Sequence, residues 1–314
     1  MPVDPMSVRN PLVHDAAAFL DRARALPADR PACADAVFLV RPDGFALAEQ
    51  SASDNRYMAD GSAFDTDRAL AQHAALADAL RTELPVTVFP GSADTPDAVF
   101  PNNVFGTAPG RLVIGHMRHP VRQREADRED IRRHFREDGC ALIDLRQQPG
   151  IAELTGALII DRARGIGLAG YSERCDETGA AAMLDAFDLR LGYGFALAEG
   201  EYHSNVVMSV LASRALVICP DAFVDPAAPR ALADLYAPQV VELSVAEKDA
   251  FAGNCIALRP DSVWMSEAAA DSLTSRNRLA LEQAGFRIRS VALDAIEKAG
   301  GSLRCCVGEV FGRR

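Results

Sequence analysis

The sequence has no Cys-x-x-Cys pair and no His-x-x-x-His pair among its 7 cysteines and 6 histidines, so the common ligand spacings of structural zinc are missing. It has no apolar run of about eighteen residues, and Met1-Pro2-Val3-Asp4-Pro5 lacks a charged segment leading into an apolar core. Neither a membrane span nor a secretory signal is therefore expected. Positive charge is in deficit, with 33 Lys and Arg against 44 Asp and Glu for a net −11, which argues against nucleic acid or an anionic membrane as partner. A disulfide framework is not expected either, because the cysteine count is odd and most cysteines sit in apolar strands such as Val217-Ile218-Cys219 and Asn254-Cys255-Ile256. The expectation is a soluble, cytoplasmic protein without a metal, with a homodimer as the default assembly.

What is present draws attention first to Gly300-Gly301-Ser302-Leu303-Arg304-Cys305-Cys306, two adjacent cysteines placed after a Gly-Gly turn and before a short apolar run. A thiol is a useful nucleophile only as thiolate, and a glycine turn feeding a strand can present Cys305 at a cavity mouth with Arg304 nearby to favour the anion. Free cysteines are more often small core residues, so this pair alone decides nothing.

The upstream spacing changes that balance. Counting back from Cys305, Asn254 lies 51 residues earlier, His203 another 51, Glu153 another 50 and Phe100 another 53. Each site is followed by an apolar strand, a short turn, a second strand, an amphipathic helix and a closing strand. Self-similarity at such a period marks a repeat or propeller architecture, and modules set in a ring bring equivalent positions together at the centre. Four strand–strand–helix–strand units are legible from residue 96 onward. The strand Ala36–Val40, a helix from about Asp65 to Thr82 and the C-terminal apolar run supply a fifth. Residues 1–33 read as a lead-in with one helix near His14 to Leu26, and 34–314 as a single catalytic α/β domain.

Five arginines between 111 and 128 stand out on an acidic chain, read either as a solvated, alternately charged helix start or as a source for a carboxylate ligand, Arg122 by preference. Ser51 to Met58 reads as a polar loop, His73 as a helix-face residue and Trp264 as core. His116, His119 and His134 read as surface residues.

Taken together, Asp97-Ala98-Val99-Phe100-Pro101-Asn102-Asn103, Glu153-Leu154-Thr155-Gly156, Ser172-Glu173-Arg174, Tyr202-His203-Ser204-Asn205, Gly253-Asn254 and Gly300 to Cys305 resemble the guanidino-group-modifying (pentein) superfamily. Its members include arginine deiminase, dimethylarginine dimethylaminohydrolase, arginine dihydrolase and the amidinotransferases, and the motifs are most similar to the citrulline utilization hydrolase-like branch. The resemblance covers about residues 35–311 and implies a five-bladed α/β propeller of ββαβ modules. It also implies Cys305 as nucleophile, His203 as general acid and base, and Glu153, Asp97 and Asn103 as holders of the substrate's nitrogens. Arg174 and Arg122 would take an α-carboxylate, and Phe100 would pack on the planar head.

Four positions depart from the family pattern. Leu154 stands where glycine is usual, Cys306 follows the nucleophile, and Asn103 and Asn205 occupy positions that are often aspartates in the deiminases. Replacing two carboxylates by amides removes negative charge, which harms a cationic guanidinium more than a neutral ureido head, and an amide can also donate to a carbonyl oxygen. Arginine, methylarginine and citrulline types all remain open at this point, as does a dihydrolase acting twice on arginine. The activity the resemblance implies is cofactor-free hydrolysis of a C–N bond of a small-molecule guanidino or ureido amino acid through an S-linked intermediate. The alternatives are an amidinotransferase or a catalytically idle binding protein of the same fold.

Overall fold

The computed structural model describes residues 12–59 and 64–312, so the signal reading at Met1 to Pro5 and the final Arg313-Arg314 lie outside the described residues. In chain order, β1 (Leu12–Val13), β2 (Ala36–Val40) and β3 (Val86–Phe89) come first. They are followed by β4 (Phe105–Ala108), β5 (Arg111–Ile114), β6 (Ala141–Asp144), β7 (Leu158–Asp161), β8 (Ile166–Tyr171) and β9 (Leu191–Ala196). Then come β10 (Met208–Leu211), β11 (Ala215–Ile218), β12 (Val240–Glu242), β13 (Ile256–Arg259), β14 (Ser262–Ser266), β15 (Arg287–Val291) and β16 (Gly308–Val310).

These strands form five small sheets among the described residues, and all follow one rule. In β4-β5-β6, β7-β8-β9, β10-β11-β12 and β13-β14-β15 the first strand runs antiparallel to the second and the third parallel to it. The remaining sheet borrows its first strand from the other end of the chain, with β16 antiparallel to β2 and β3 parallel to β2. A parallel return needs a crossover, and a helix fills each one: Thr66–Arg81, Glu129–Glu137, Glu177–Ala186, Ala227–Tyr236 and Ser275–Gln283. Three of the five start where a short polar side chain accepts a backbone N–H: Asp65 from Arg68 at 2.9 Å, Asp176 from Gly179 at 2.7 Å and Thr274 from Asn277 at 3.3 Å.

The middle strands are covered on both faces, which is why Leu112, Val113 and Ile114 run without a polar alternation and are fully buried. Trp264 on β14 is core, and its ring N–H donates to Glu83 at 2.9 Å. The lead-in is docked onto the body: β1 extends the β7-β8-β9 sheet by pairing parallel with β9, and Phe19 stacks on Tyr193 with centroids 4.4 Å apart. A strand of two residues carries no period, so β1 was not expected, and the helix is the shorter Ala16–Arg24.

First strands touch across sheet boundaries, β16 against β4 and β10 against both β7 and β13. Just before several of them the chain makes a single helical turn: Pro101–Asn103 before β4, Leu154–Ala157 before β7, Ser204–Val207 before β10 and Leu303–Cys306 before β16. The first of these turns packs against the second and the fourth, and the second against the third. An apolar strand directly after each site was expected; at Ser204–Val207 and Leu303–Cys306 a helical turn comes first, and it positions the site. No helix among the described residues is long and apolar enough to cross a membrane.

Candidate active site

Glu153 and His203 are the residues that precede the second and third of these turns, in non-helical backbone, so their side chains leave the turn toward the same interior point. The His203 Nε2 lies 2.9 Å from Glu153 Oε2, with both side chains fully buried. Glu153 also accepts from Arg174 Nη1 at 3.3 Å and from the backbone N–H of Arg118 at 3.2 Å. Burial alone raises a carboxyl's pKa, but Arg174 and His203 outweigh it and hold Glu153 well below the usual range. His203 moves the other way: burial, helped by Arg174 and Arg122, lowers its pKa in spite of Glu153, and so favours the neutral ring. With Nε2–H donated to an ionised carboxylate, Nδ1 carries the lone pair, and it is buried without a partner.

Cys305 sits in the turn Leu303–Cys306, 1 % exposed. Its sulfur is reached by the amide nitrogens of Asn254 at 3.3 Å and Asn205 at 3.5 Å. Asn254 in turn donates to the Asn205 carbonyl at 2.8 Å and accepts from the Arg304 backbone N–H at 3.0 Å. Burial pushes the Cys305 thiol up, partly offset by Asn254, the turn backbone, Arg304 and Asn205. Arg304 acts only at a remove, since its guanidinium bonds Val307 O at 3.0 Å and Glu309 at 2.9 Å.

The sulfur faces a small cavity also lined by Asp97, Phe100, Asn103, Arg122 and Arg174. Glu153 and His203 lie behind this wall. Arg174 links the cavity to Glu153, and Gly156 fills the gap on the other side, where a Cβ would lie 2.6 Å from Asn103 Oδ1 and 2.7 Å from His203 Cε1. Phe100 packs in the same way on Gly301, where a Cβ would come 2.9 Å from the ring. All nine residues expected from the sequence thus gather in one region, with Asn205 beneath the sulfur.

Several polar atoms there are buried without partners: Asp97 Oδ1, Asn103 Oδ1, His203 Nδ1 and both polar side-chain atoms of Asn102. Burial raises Asp97 toward its neutral form in spite of Arg122. The two arginines differ in how they are held. Arg122 is gripped by Glu125, Nε to Oε1 at 2.8 Å and Nη2 to Oε2 at 2.9 Å, and it also donates to Phe100 O at 3.1 Å. Burial disfavours its charge, and Glu125 more than restores it. Arg174 is held by Glu153 and by Asp54, with Nε to Asp54 Oδ1 at 3.0 Å.

Leu154 has φ +22°, a backbone setting for which glycine is the ordinary choice, and its buried side chain packs over Gly106 and Gly115. Burial of that side chain offsets the strain and accounts for leucine at this motif position. Asp54 and His119 were not identified from the sequence as site residues. Asp54 lay in an apparent polar loop and His119 in an apparent surface segment, yet they meet at 2.9 Å beside Arg174. A carboxylate and an imidazole 65 residues apart leave no local signal.

The sequence matches the family described as N,N dimethylarginine dimethylhydrolase, eukaryotic, over residues 41–312. No curated protein matches the chain. Among solved structures, the N-terminal domain of ArgZ, a cyanobacterial arginine dihydrolase of the ornithine-ammonia cycle, superposes with a TM-score of 0.77 at 22% identity, covering 88% of this chain and 98% of that one. Unliganded AgrE gives a TM-score of 0.77 at 22% identity over 89% of this chain, which spans only 40% of the AgrE chain. A Pseudomonas aeruginosa DDAH mutant complexed with citrulline gives 0.68 at 19% identity, covering 88% and 99%.

Proposed function

The chain belongs to the N,N dimethylarginine dimethylhydrolase family of the guanidino-group-modifying (pentein) superfamily, and from that premise we propose that it is a cysteine hydrolase of a guanidino or ureido amino acid. We take the catalytic unit as residues 34–314 and its five sheets as blades of an α/β propeller, a reading supported by the contacts between successive first strands. The free thiols suit a reducing cytoplasm. The observation that carries the reading is the buried Glu153–His203 pair, with the imidazole's other nitrogen unpartnered, on turns that pack with the turns bearing Asn103 and Cys305.

In this mechanism His203 Nδ1 takes the Cys305 proton as sulfur bonds to the central carbon of the substrate head, and the resulting imidazolium is stabilised by Glu153. The proton passes to the departing nitrogen as its C–N bond breaks, leaving an S-linked amidino or carbamoyl group. His203 then deprotonates a water that attacks the same carbon, and the C–S bond breaks to return the thiol. The raised thiol of the resting site is not an obstacle, because a bound guanidinium favours the thiolate by direct charge attraction.

Three of the unpartnered atoms favour a donor-rich head. Asp97 Oδ1, Asn103 Oδ1 and His203 Nδ1 are all acceptors, suited to the N–H groups of a guanidinium, and its charge would draw Asp97 back to the carboxylate form. We therefore place arginine-type substrates, including a second round on the ureido product, ahead of citrulline alone. Arg174 and Arg122 would face the α-carboxylate and Phe100 the planar head. The test is a panel of arginine, methylated arginines, citrulline and agmatine with ammonia and amino-acid products measured. Turnover of arginine or a methylarginine is expected. Turnover of citrulline alone would overturn the donor-rich assignment, and transfer to an added amine in place of hydrolysis would make it an amidinotransferase.

A further inference from the structure

Above the cavity runs a strap, residues 49–58, that begins with the short helix Glu49–Ala52. Its downstream end is stitched to the segment just before the Cys305 turn. Ala59 N donates to Lys298 O at 2.9 Å, and Met58 bridges Ala299. Arg56 and Tyr57 are tied to the buried Glu201 at 2.8 and 2.7 Å, and Lys248 pairs with the same carboxylate. The upstream part is held by a different set of contacts, and these reach into the site. Ser51 O accepts from Arg174 Nη2 at 3.0 Å, and Gln50 accepts from the Val121 N–H at 2.9 Å. The Asp54 carboxylate bridges Arg174 on one oxygen and His119 at 2.9 Å with Arg118 at 3.3 Å on the other.

We propose that Asp54 stands in for a substrate carboxylate on Arg174, latching the strap over Cys305 until the α-carboxylate of an incoming amino acid displaces it. The stereochemistry matches what such a ligand would present. One carboxylate oxygen takes both Nε and Nη2 of the guanidinium, while Nη1 stays with Glu153. The Asp54 side chain is 11 % exposed and Arg174 2 %, so the pair sits between the site and solvent, where exchange with a soluble anion is possible. Asp54 is thus a positioning and specificity residue. A ligand with a carboxylate can open the latch by substitution, whereas a decarboxylated ligand leaves Arg174 already occupied. The stand-in role rests on Arg174 being the carboxylate site of the proposed activity, but the latch does not depend on it.

Two measurements separate these parts. In the first, wild type, Asp54→Asn and Asp54→Glu are alkylated with iodoacetamide, and Cys305 and the half-buried Cys140 are followed by peptide mapping. The Cys305 rate is expected to rise about tenfold in Asp54→Asn, as one lost charged pair would allow. Cys140 should not change, and Asp54→Glu should stay near wild type. An unchanged Cys305 rate in Asp54→Asn overturns the latch, whatever the enzyme's substrate. In the second, steady-state kinetics compare arginine with agmatine. Asp54→Asn should lower KM for arginine several-fold with kcat less affected, and should not lower it for agmatine. An equal change for both substrates overturns the carboxylate stand-in while leaving the latch to the alkylation result.

Discussion

At the scale of single residues, Cys305 is a buried thiol awaiting a cation, with two amide side chains at its sulfur and a nearby Arg304 that offsets burial only in part. Its alkylation by a small neutral reagent in ligand-free enzyme should therefore keep climbing through pH 9, and a plateau below pH 8 would show a thiolate already formed. Cys305→Ser should remove turnover by roughly 10⁴-fold or more with the fold intact, measured by circular dichroism alongside product formation. Retained activity would point to Cys306, which is buried beside it. Much of this was legible in the chain, because Cys305, His203 and Glu153 are chemically distinctive and evenly spaced. Asp54 was not, since an aspartate in a polar stretch looks like any solvated charge. Nor could Arg304 be judged from adjacency: the side chain next to the nucleophile turns away to Glu309.

At the scale of elements, the single helical turns before the first strands are what convert a spacing of about fifty residues into contact. A strand alternates its side chains across the sheet, whereas a one-turn helix gathers its flanking residues on one side and delivers them to the interior. Apolar runs such as Val206 to Val210 hide this, because four residues of helix and four of strand look alike in composition, and only the polar residue before them marks the change. Gly156 tests the idea. An added methyl would lie within 2.7 Å of His203 and 2.6 Å of Asn103. Gly156→Ala should therefore cut kcat/KM by at least about 100-fold while costing about 1–3 kcal/mol of stability by urea titration. Wild-type kinetics would mean the turns do not fix the imidazole.

For the whole molecule, the last strand completes an early sheet: β16 lies on β2, and Thr107 on β4 bonds both Glu309 O at 2.8 Å and Phe311 N at 3.0 Å. That seam lies three residues past Cys305, so stability and catalysis share it. A Cβ at Gly308 would lie 2.3 Å from the Phe38 ring, and Gly308→Val should cost about 2 kcal/mol by overpacking and lower activity with it. Full activity together with full stability in that variant would separate the seam from the site. The buried Glu153 couples them in another way. Its folded-state carboxyl is depressed, so the stability it lends is present above an unfolded value of about 4.3 and is lost progressively as pH falls below it. Glu153→Gln should cost about 3 kcal/mol at pH 7 and flatten the acid limb of the stability profile. An unchanged acid limb would place the acid sensitivity in another carboxylate.

The central claim is that Cys305, His203 and Glu153 act together on one carbon of the substrate head. It is tested most directly by acid-quenching the enzyme during turnover of arginine or a methylarginine that carries an isotopic label on that carbon, then mapping the labelled peptide. The account predicts label bound to Cys305 and lost on chase in wild type, and little or no label on Cys305 in His203→Ala. Turnover with no label on Cys305, or with label on another cysteine, would contradict it.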